Sequence, residues 1–378
     1  MLPLTQTNTL VIGAGISGLA TAACLQRQGI EYVVIEKHNQ VASAWHNHYH
    51  RLHLHTNKRV SQLPYKKFDK NIPRYPNRQQ VIDYLTDYQQ AFHIQPVFNT
   101  IATSVKKEND YWITETTNGI FQSRFLVMAT GPFGTPKPVV LKGMETFPGK
   151  IMHSAAYKTG KDFAGQKVLV IGFGNSACEI AIDLFEQGAT PTMAVRSAVN
   201  IVPRDVLGIP VLELSLLLNF LPPRIADLLS APLINALIGD ITPLGLKRKP
   251  YGPLEQVQRE GKSPILDIGT IRHIRRGHIN IAGDIDSIEG RQVHFKEGDT
   301  QSFDAIVACI GYSQDEIKIV EIDSNRFEDL RLSADRQQYF GKDGLYFCGY
   351  YISPTGQIRE IAADARKIAQ DIGRHTSS

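Results

Sequence analysis

Cysteine is scarce. The 378 residues hold four, Cys24, Cys178, Cys309 and Cys348, and no two are spaced as C-x-x-C. Each sits in an apolar stretch, which predicts reduced, buried thiols in a reducing compartment, and so a cytoplasmic protein. A surplus of charge of one sign is missing too. The 41 Lys and Arg are interleaved with 37 Asp and Glu, for a formal net charge of +4, and no long basic arm exists. Nucleic acid is therefore not an expected partner. Long apolar runs are absent: the Leu-rich stretch 211–241 is broken by Arg224, Asp227 and Asp240 and by three prolines, so no transmembrane segment is expected. The first apolar strand begins near Thr9, which leaves no room for a signal peptide. A composition that is 42% hydrophobic and 21% charged excludes a mostly disordered, collagen-like or polytopic membrane chain. The length is too great for one compact core and predicts two domains.

What is present is a pattern that occurs twice. Residues 9–12 read as a buried strand, 13–18 as a glycine turn, 16–29 as a helix stopped by Gly29, and 32–35 as a second buried strand. That βαβ order implies a parallel sheet. Residues 45–76, rich in His, Arg, Tyr and Pro, lack periodicity and read as an excursion from the core. A helix capped by Asn77 follows. A meander then runs through 111–116, the Asn118-Gly119 turn and 125–129. It ends in Ala129-Thr130-Gly131, before a proline cluster that suits a linker. The order then returns: strand 167–171, glycine turn 172–177, helix 178–187 stopped by Gly188, strand 192–195. Residues 279–281, 292–295 and 305–309 read as a second meander, ending in Cys309-Ile310-Gly311 as the first ends in Ala129-Thr130-Gly131. A strand near 344–349 and a helix over 358–372 complete the first module. The Leu-rich stretch reads as amphipathic helices over an active-site mouth, or as a surface that meets a membrane or a partner.

Gly13-x-Gly15-x-x-Gly18 follows a strand and opens a helix. In that context the first Gly makes the tight turn, the second admits a pyrophosphate to the backbone, and the third packs helix on strand. The helix N-terminus faces the phosphates, and Glu36, at the end of the second strand, is placed to take ribose hydroxyls. Gly172-x-Gly174-x-x-Ala177 is a second such turn, with Ala in the permitted third place. No acid follows its second strand; Arg196 and Ser197 do. A guanidinium attracts a 2′-phosphate and bonds it as a fork, so the second nucleotide is expected to be NADP rather than NAD. The alternative is that Arg196 is a solvated surface charge. Two sites mean two dinucleotides, FAD and NADPH, with hydride transfer across the domain interface. The expected fold is α/β, with two Rossmann-like dinucleotide-binding domains of the three-layer ββα type. Residues 1–146 and 301–378 form the FAD domain. The NADP domain, 147–300, is inserted in it and carries the Leu-rich helical insertion at about 206–245.

Between the turns, Phe147, Gly149, His153 and Tyr157 fit the pattern F-x-G-x-x-x-H-x-x-x-[FY]. With the flanking turns, this resembles the class B flavin-dependent monooxygenases. Tyr157-Lys158 stands where the Baeyer–Villiger branch has Trp-Pro. The stretches Ala42-Ser43-Ala44-Trp45, Arg51-Leu52-His53-Leu54-His55, Gln62-Leu63-Pro64-Tyr65, Gly172-Phe173-Gly174-Asn175-Ser176, Val195-Arg196-Ser197 and Leu266-Asp267-Ile268-Gly269-Thr270 are similar to the YUCCA-type indole-3-pyruvate monooxygenases. The matches span nearly the whole chain. Ala177, Ile310 and Thr56-Asn57 depart from that branch, which leaves the substrate open.

The resemblance implies a mechanism. NADPH reduces FAD, and dioxygen adds at flavin C4a to form a (hydro)peroxide. This oxygenates a small organic substrate, by oxidative decarboxylation of a 2-oxo acid or by N- or S-oxygenation. It also implies FAD contacts from Gly13, Ala14, Gly15, Ser17, Gly18, Glu36, Lys37, Trp45, His55, Thr56, Ala129, Thr130 and Gly131. Contacts to NADPH fall to Gly172, Gly174, Asn175, Ser176, Ala177, Arg196 and Ser197. Asn57 aligns with the Asn that supports the oxygenated flavin, and is the candidate catalytic residue; otherwise it caps a turn. His46, His48, His50, His53 and His55 have no acid or Cys nearby, so a polar loop beside the flavin is expected rather than a metal site. His153 is expected to orient backbone. Lys247-Arg248-Lys249 and Arg275-Arg276 read as solvated surface that guides NADPH. Arg51, Arg204 and Arg359 are candidates for a substrate carboxylate. A rival function is a flavoprotein reductase of a quinone or an electron-transfer protein. The missing C-x-x-C argues against a disulfide reductase, as does Tyr350 after Gly349 where those reductases place an Asp. A flavin-bound redox sensor would need a blocked nicotinamide site. Monomer and homodimer both remain open.

Overall fold

The computed structural model describes residues 3–218, 220–321, 340–353 and 355–376. In chain order the first elements are β1 (Leu4–Ile12), α1 (Ile16–Arg27), β2 (Tyr32–Ile35), α2 (Arg78–Ala91), β3 (Ala102–Glu108), β4 (Tyr111–Thr116) and β5 (Ile120–Met128). Then come β6 (Lys150–His153), β7 (Lys167–Ile171), α3 (Asn175–Glu186), β8 (Thr190–Ala194), α4 (Val211–Leu218), α5 (Pro223–Ile238) and α6 (Pro253–Glu260). Next are β9 (Asn280–Ala282), β10 (Ile285–Glu289), β11 (Gln292–Phe295), β12 (Thr300–Ser302) and β13 (Ala305–Ala308); the chain closes with β14 (Leu345–Phe347) and α7 (Gln357–Thr376).

Two compact units divide these elements. The first is Met1–His46, Thr56–Thr135 and Tyr312–Ser378; the second is Asn47–His55 and Pro136–Gly311. The sequence placed its divisions after 146 and 300, and kept 47–55 with the first module. The backbone pairing of β13 explains the later boundary: it hydrogen-bonds to both β7 and β6, so the second unit runs on to Gly311.

In the first unit β1 lies between β2 and β5, parallel to both, with Val11 level with Val34 and Val127. β14 joins the far edge of β5 near its end, again parallel, and β4 and β3 continue antiparallel. The buried runs Leu10 to Ile12 and Leu126 to Met128 explain the pairing, because a strand covered on both faces must be apolar throughout. α2 starts at Asn77 in a full capping box: the Asn77 side chain accepts from Gln80 N–H, and the Gln80 side chain accepts from Asn77 N–H. α7 buries Ile358, Ile361, Ala365, Ile368 and Ile372, one stripe at helical spacing. Each fully buried Ile contributes about 2 kcal/mol.

The second unit has a five-stranded parallel sheet in the order β9-β8-β7-β13-β6, and a separate antiparallel β10-β11-β12 meander. This corrects the expectation for 279–309. Its three segments go to different places: β9 extends the parallel sheet, β13 sits inside it, and only β11 belongs to a meander. A short apolar run has no period to distinguish a meander strand from a buried parallel one. The true partners of β11, Ile285–Glu289 and Thr300–Ser302, are largely polar and carry little strand signal. α3 begins three residues earlier than the expected 178, with Gly174 as its N-cap.

The Leu-rich stretch forms α4 and α5. On α5 Ala226, Asp227 and Ile238 are buried, while Ile225, Leu228, Leu229, Leu233 and Leu237 are exposed. Asp227 accepts the Leu254 and Glu255 N–H groups, which the first turn of α6 leaves without helical partners. Among the described residues no helix is long and apolar enough to cross a membrane.

Candidate functional site

The first glycine turn is set by close approach. Gly13 has φ +107°, and a Cβ on it would lie 2.9 Å from the Ala129 oxygen. On Gly18 a Cβ would lie 1.8 Å from the Gly13 oxygen, so α1 can fold back on β1 only with glycine there. On Gly15 a Cβ would meet nothing within 4 Å. That open space lies at the N-terminus of α1, where backbone N–H groups lack helical partners, and it is a cradle for an anion. Glu36, buried at the end of β2, accepts Ala14 N–H at 2.8 Å through Oε2 and His38 N–H at 3.0 Å through Oε1. Lys37 beside it is exposed. Ser17 is buried in the first turn of α1.

Of the other expected residues of this unit, Ala129, Thr130 and Gly131 follow the end of β5. Ala129 N–H donates to Ile12 O, and Gly131 has φ +77°. Thr130 Oγ1 lies 2.5 Å from the hydroxyl of Tyr350, which is fully buried and held far above its ordinary pKa by that burial. Ala42 N–H donates to Ala14 O at 3.2 Å, which ties the short helix bearing the half-buried Trp45 to the turn. Thr56 Oγ1 pairs with Ser61 Oγ at 2.5 Å. Asn57 is buried, and its Oδ1 accepts Arg59 N–H at 3.0 Å, an Asx turn. The Ser353–Ile358 loop flanks α7; Pro354 lies outside the described residues.

In the second unit Gly172 has φ +110°, and a Cβ there would lie 2.7 Å from Cys309 O; on Gly174 it would meet nothing within 4 Å. Ala177 is fully buried. Asn175 ties the start of α3 to a neighbouring segment, donating to Pro264 O at 3.3 Å and accepting Leu266 N–H at 2.9 Å. Ser176 is half-buried beside it. Arg196 and Ser197 follow β8 and are exposed, and Arg196 has no ion pair among the described residues.

The sequence reading missed three acids on α3. Glu179 is buried, with Oε1 2.9 Å from His55 Nε2. The Tyr49 hydroxyl is held well above its ordinary pKa by burial and by the Glu179 carboxylate. Asp183 Oδ2 accepts the Tyr157 hydroxyl at 2.6 Å and Gly160 N–H at 2.8 Å. Glu186 takes Arg51 as a two-point fork, at 2.9 and 3.0 Å. The available signal was the i, i+4 spacing of Glu179 and Asp183 within an apolar helix, which puts both on one face. His55 thus sits in the second unit against Glu179, while Thr56 and Asn57 sit in the first.

His153 Nδ1 accepts Ala155 N–H at 3.1 Å, which leaves Nε2 to donate to Gly311 O at 3.0 Å. Both nitrogens serve the backbone, and burial lowers the pKa of the ring. Arg248 and Arg275, expected to be solvated, instead donate to Gly239 O and Ile238 O at the C-terminus of α5, where helix carbonyls lack partners. Lys249 pairs with Glu260 at 2.5 Å. Among the described residues no group of three or more His, Cys, Asp or Glu could hold a metal.

All four cysteines are free. Burial pushes the Cys24 thiol up to about 11 and the Cys309 thiol up to about 12, and raises Cys178 and Cys348 further. None is a thiolate near neutral pH.

Two Rossmann-like units, one with a buried acid after its second strand and the other with an exposed base, define a two-domain α/β class of protein. Residues 10–205 match the pyridine nucleotide-disulphide oxidoreductase family profile. The chain is 38% identical over 378 residues to the indole-3-pyruvate monooxygenase YUCCA6 of Arabidopsis thaliana, covering 97% of this chain and 90% of that one. Among solved structures, it is similar to a flavin-containing monooxygenase from Stenotrophomonas maltophilia (TM-score 0.71, 20% identity, 98% and 99% of the two chains). It is also similar to cyclohexanone monooxygenase from Rhodococcus sp. Phi1 (TM-score 0.77, 18% identity, 99% and 85%). At those identities the two structures speak for the fold. The chain belongs to the flavin-dependent monooxygenases of the YUCCA type, and is an enzyme. The disulphide in the name of the wider family describes thiolate chemistry, to which these protonated thiols are unsuited.

Proposed function

We propose that the chain is an FAD- and NADPH-dependent monooxygenase that oxidatively decarboxylates a small 2-oxo acid, the substrate class named in its indole-3-pyruvate monooxygenase relatives. The observation that carries this is the contrast after the two glycine turns: a buried Glu36 in one unit, and in the other an exposed Arg196 with no ion pair among the described residues. The open cradle at Gly15 suits the pyrophosphate of FAD. Each Glu36 oxygen accepts one backbone N–H and retains a lone pair for a ribose hydroxyl. Lys37, Trp45, His55, Thr56, Ala129, Thr130 and Gly131 are assigned as further contacts to FAD. The cradle at Gly174 suits the pyrophosphate of NADPH, with Asn175, Ser176 and Ala177 opening the helix behind it. Arg196 and Ser197 take the 2′-phosphate.

Bound together, the two cofactors supply the electron pair that dioxygen activation requires. The balance is one 2-oxo acid, one O2, one NADPH and one proton in; one carboxylic acid shorter by a carbon, CO2, NADP+ and water out. Asn57, its carboxamide oxygen held by Arg59 N–H, is assigned to the reaction through its NH2, a donor without an acidic proton. Of the three arginines weighed for the substrate carboxylate, Arg51 is forked to Glu186 and Arg204 is paired with Asp205. Arg359, exposed near the start of α7, is the assignment that remains.

The purified protein should be yellow, bleach with NADPH without air, and convert indole-3-pyruvate in air to indole-3-acetate and CO2, one for each NADPH. Protein that stays colourless after reconstitution would overturn the reading. So would NADPH oxidation that gives only hydrogen peroxide with every 2-oxo acid tried.

A further inference from the structure

The strand ends beside Arg196 carry more charge than the second glycine turn foretells. Where β8 ends, Val195 N–H donates to Ala282 O at 2.9 Å, at the end of the neighbouring β9. Two residues on, Asp284 O accepts Lys296 N–H at 2.9 Å, just after β11. This ladder brings Lys296 to the edge of the sheet that Arg196 occupies. The Lys296 side chain is 60% exposed, and its Nζ lies 2.6 Å from Asp284 Oδ2. The hydrogen bond to Asp284 raises the pKa of that ammonium; Asp286 adds to the effect, and Arg196 is near enough to oppose it. Glu297 is close as well. A Cβ on Gly283 would lie 1.9 Å from its Oε2, so glycine there lets the carboxylate rest over the end of β9. Among the described residues Arg196 thus stands without an ion pair, while the second cation is held by a carboxylate.

We infer that Lys296 is a second determinant of coenzyme choice: its ammonium shares the 2′-phosphate with Arg196, and Asp284 is the counter-ion it leaves to do so. This rests on the reading of Arg196 given above. A phosphate group carries up to two negative charges and three acceptor oxygens, so it competes well against one carboxylate for an exposed ammonium. A carboxylate beside the site also repels a 2′-phosphate. Asp284 therefore opposes Lys296, and removing one should do the reverse of removing the other.

Calorimetric titration of the full-length protein with 2′,5′-ADP and with 5′-AMP tests this without turnover. Lys296→Met should weaken 2′,5′-ADP about tenfold and leave 5′-AMP nearly unchanged. Asp284→Asn should tighten 2′,5′-ADP about threefold, and Lys296→Arg should keep most of the wild-type affinity. Thermal melting checks that each variant is folded, and Lys296→Gln replaces Lys296→Met if that variant is not. If Lys296→Met and Lys296→Gln bind 2′,5′-ADP as the parent does while Arg196→Ala loses it, Lys296 has no such role and the Arg196 reading stands. If Arg196→Ala also binds normally, the reading of the second site itself is wrong. An Asp284→Asn variant with unchanged or weaker affinity would overturn the counter-ion role.

Discussion

At the third position of the first glycine turn a Cβ would lie 1.8 Å from the Gly13 oxygen; the second turn carries Ala177 at that position, fully buried. The helices differ as well. α1 contains no acid, whereas α3 contains Glu179, Asp183 and Glu186, each tied to a residue remote in sequence. Beyond the second strand the first unit turns a buried carboxylate back onto Ala14 N–H, and the second leaves a guanidinium in solvent. At the middle glycine of both turns a Cβ would meet nothing within 4 Å, so the turns alone do not set the units apart. The contrast is electrostatic and lies in the residue after the second strand, and on the proposed reading it sorts the two nucleotides.

The comparison can be broken first at the glycines. Gly18→Ala should cost about 3 kcal/mol, because the clash is with backbone, and should cost the protein its flavin. Ala177→Gly should cost about 1 kcal/mol, the ordinary penalty of glycine within a helix. Denaturant melts and the flavin absorbance of both variants decide whether the two turns differ as described. Arg196→Glu should then lower the NADPH-over-NADH ratio of kcat/KM by about a hundredfold, from a lost attraction and a new repulsion. An unchanged ratio would remove the electrostatic half of the comparison. Glu36→Gln should weaken FAD about tenfold, because the amide sets an NH2 against one of two backbone N–H donors; flavin fluorescence titration reads this.

The smallest effect concerns the fork of Arg51 on α3. The hydrogen bond from Arg51, followed by its charge, holds the Glu186 carboxyl below its ordinary 4.5. A carboxyl depressed in the folded state stabilises the fold above its unfolded pKa, and this is lost as pH falls through the lower folded value. Glu186 is 44% exposed, so solvent screens the pair and Arg51→Met should cost only about 0.5 kcal/mol at pH 7. The difference from the parent should shrink as pH falls below 4.5 in urea melts, because protonation of Glu186 in the folded state removes the charge that Arg51 holds.

Much of this was legible along the chain. In each unit the glycine spacing, the strand before it and the charged residue after the second strand, Glu36 or Arg196, lie within a few dozen residues, and their places in the fold follow from short-range geometry. So did the Asn77 cap and the apolar stripe of α7. The acids of α3 carried a local signal in their spacing, but their partners were not legible, because these lie far off: His55 is 124 residues from Glu179, and Arg51 is 135 from Glu186. Nothing local marks such a pair. The sorting of 279–309 into a parallel sheet and a meander was hidden for another reason. A segment of three or four residues fits either setting, and the choice depends on which neighbouring strand lies open.

By itself the sequence determined that this protein carries two Rossmann-like folds, and which sign of charge stands after the second strand of each. Those features depend on steric exclusion at single glycines and on the charge of one residue at a strand end. Only the tertiary structure decided that residues 47–55 belong with the second unit, that the acids of α3 are occupied, and that Lys296 and Asp284 reach the edge where Arg196 stands. These facts depend on side chains meeting across the fold, and electrostatic interaction falls off with distance in space, whatever the separation along the chain.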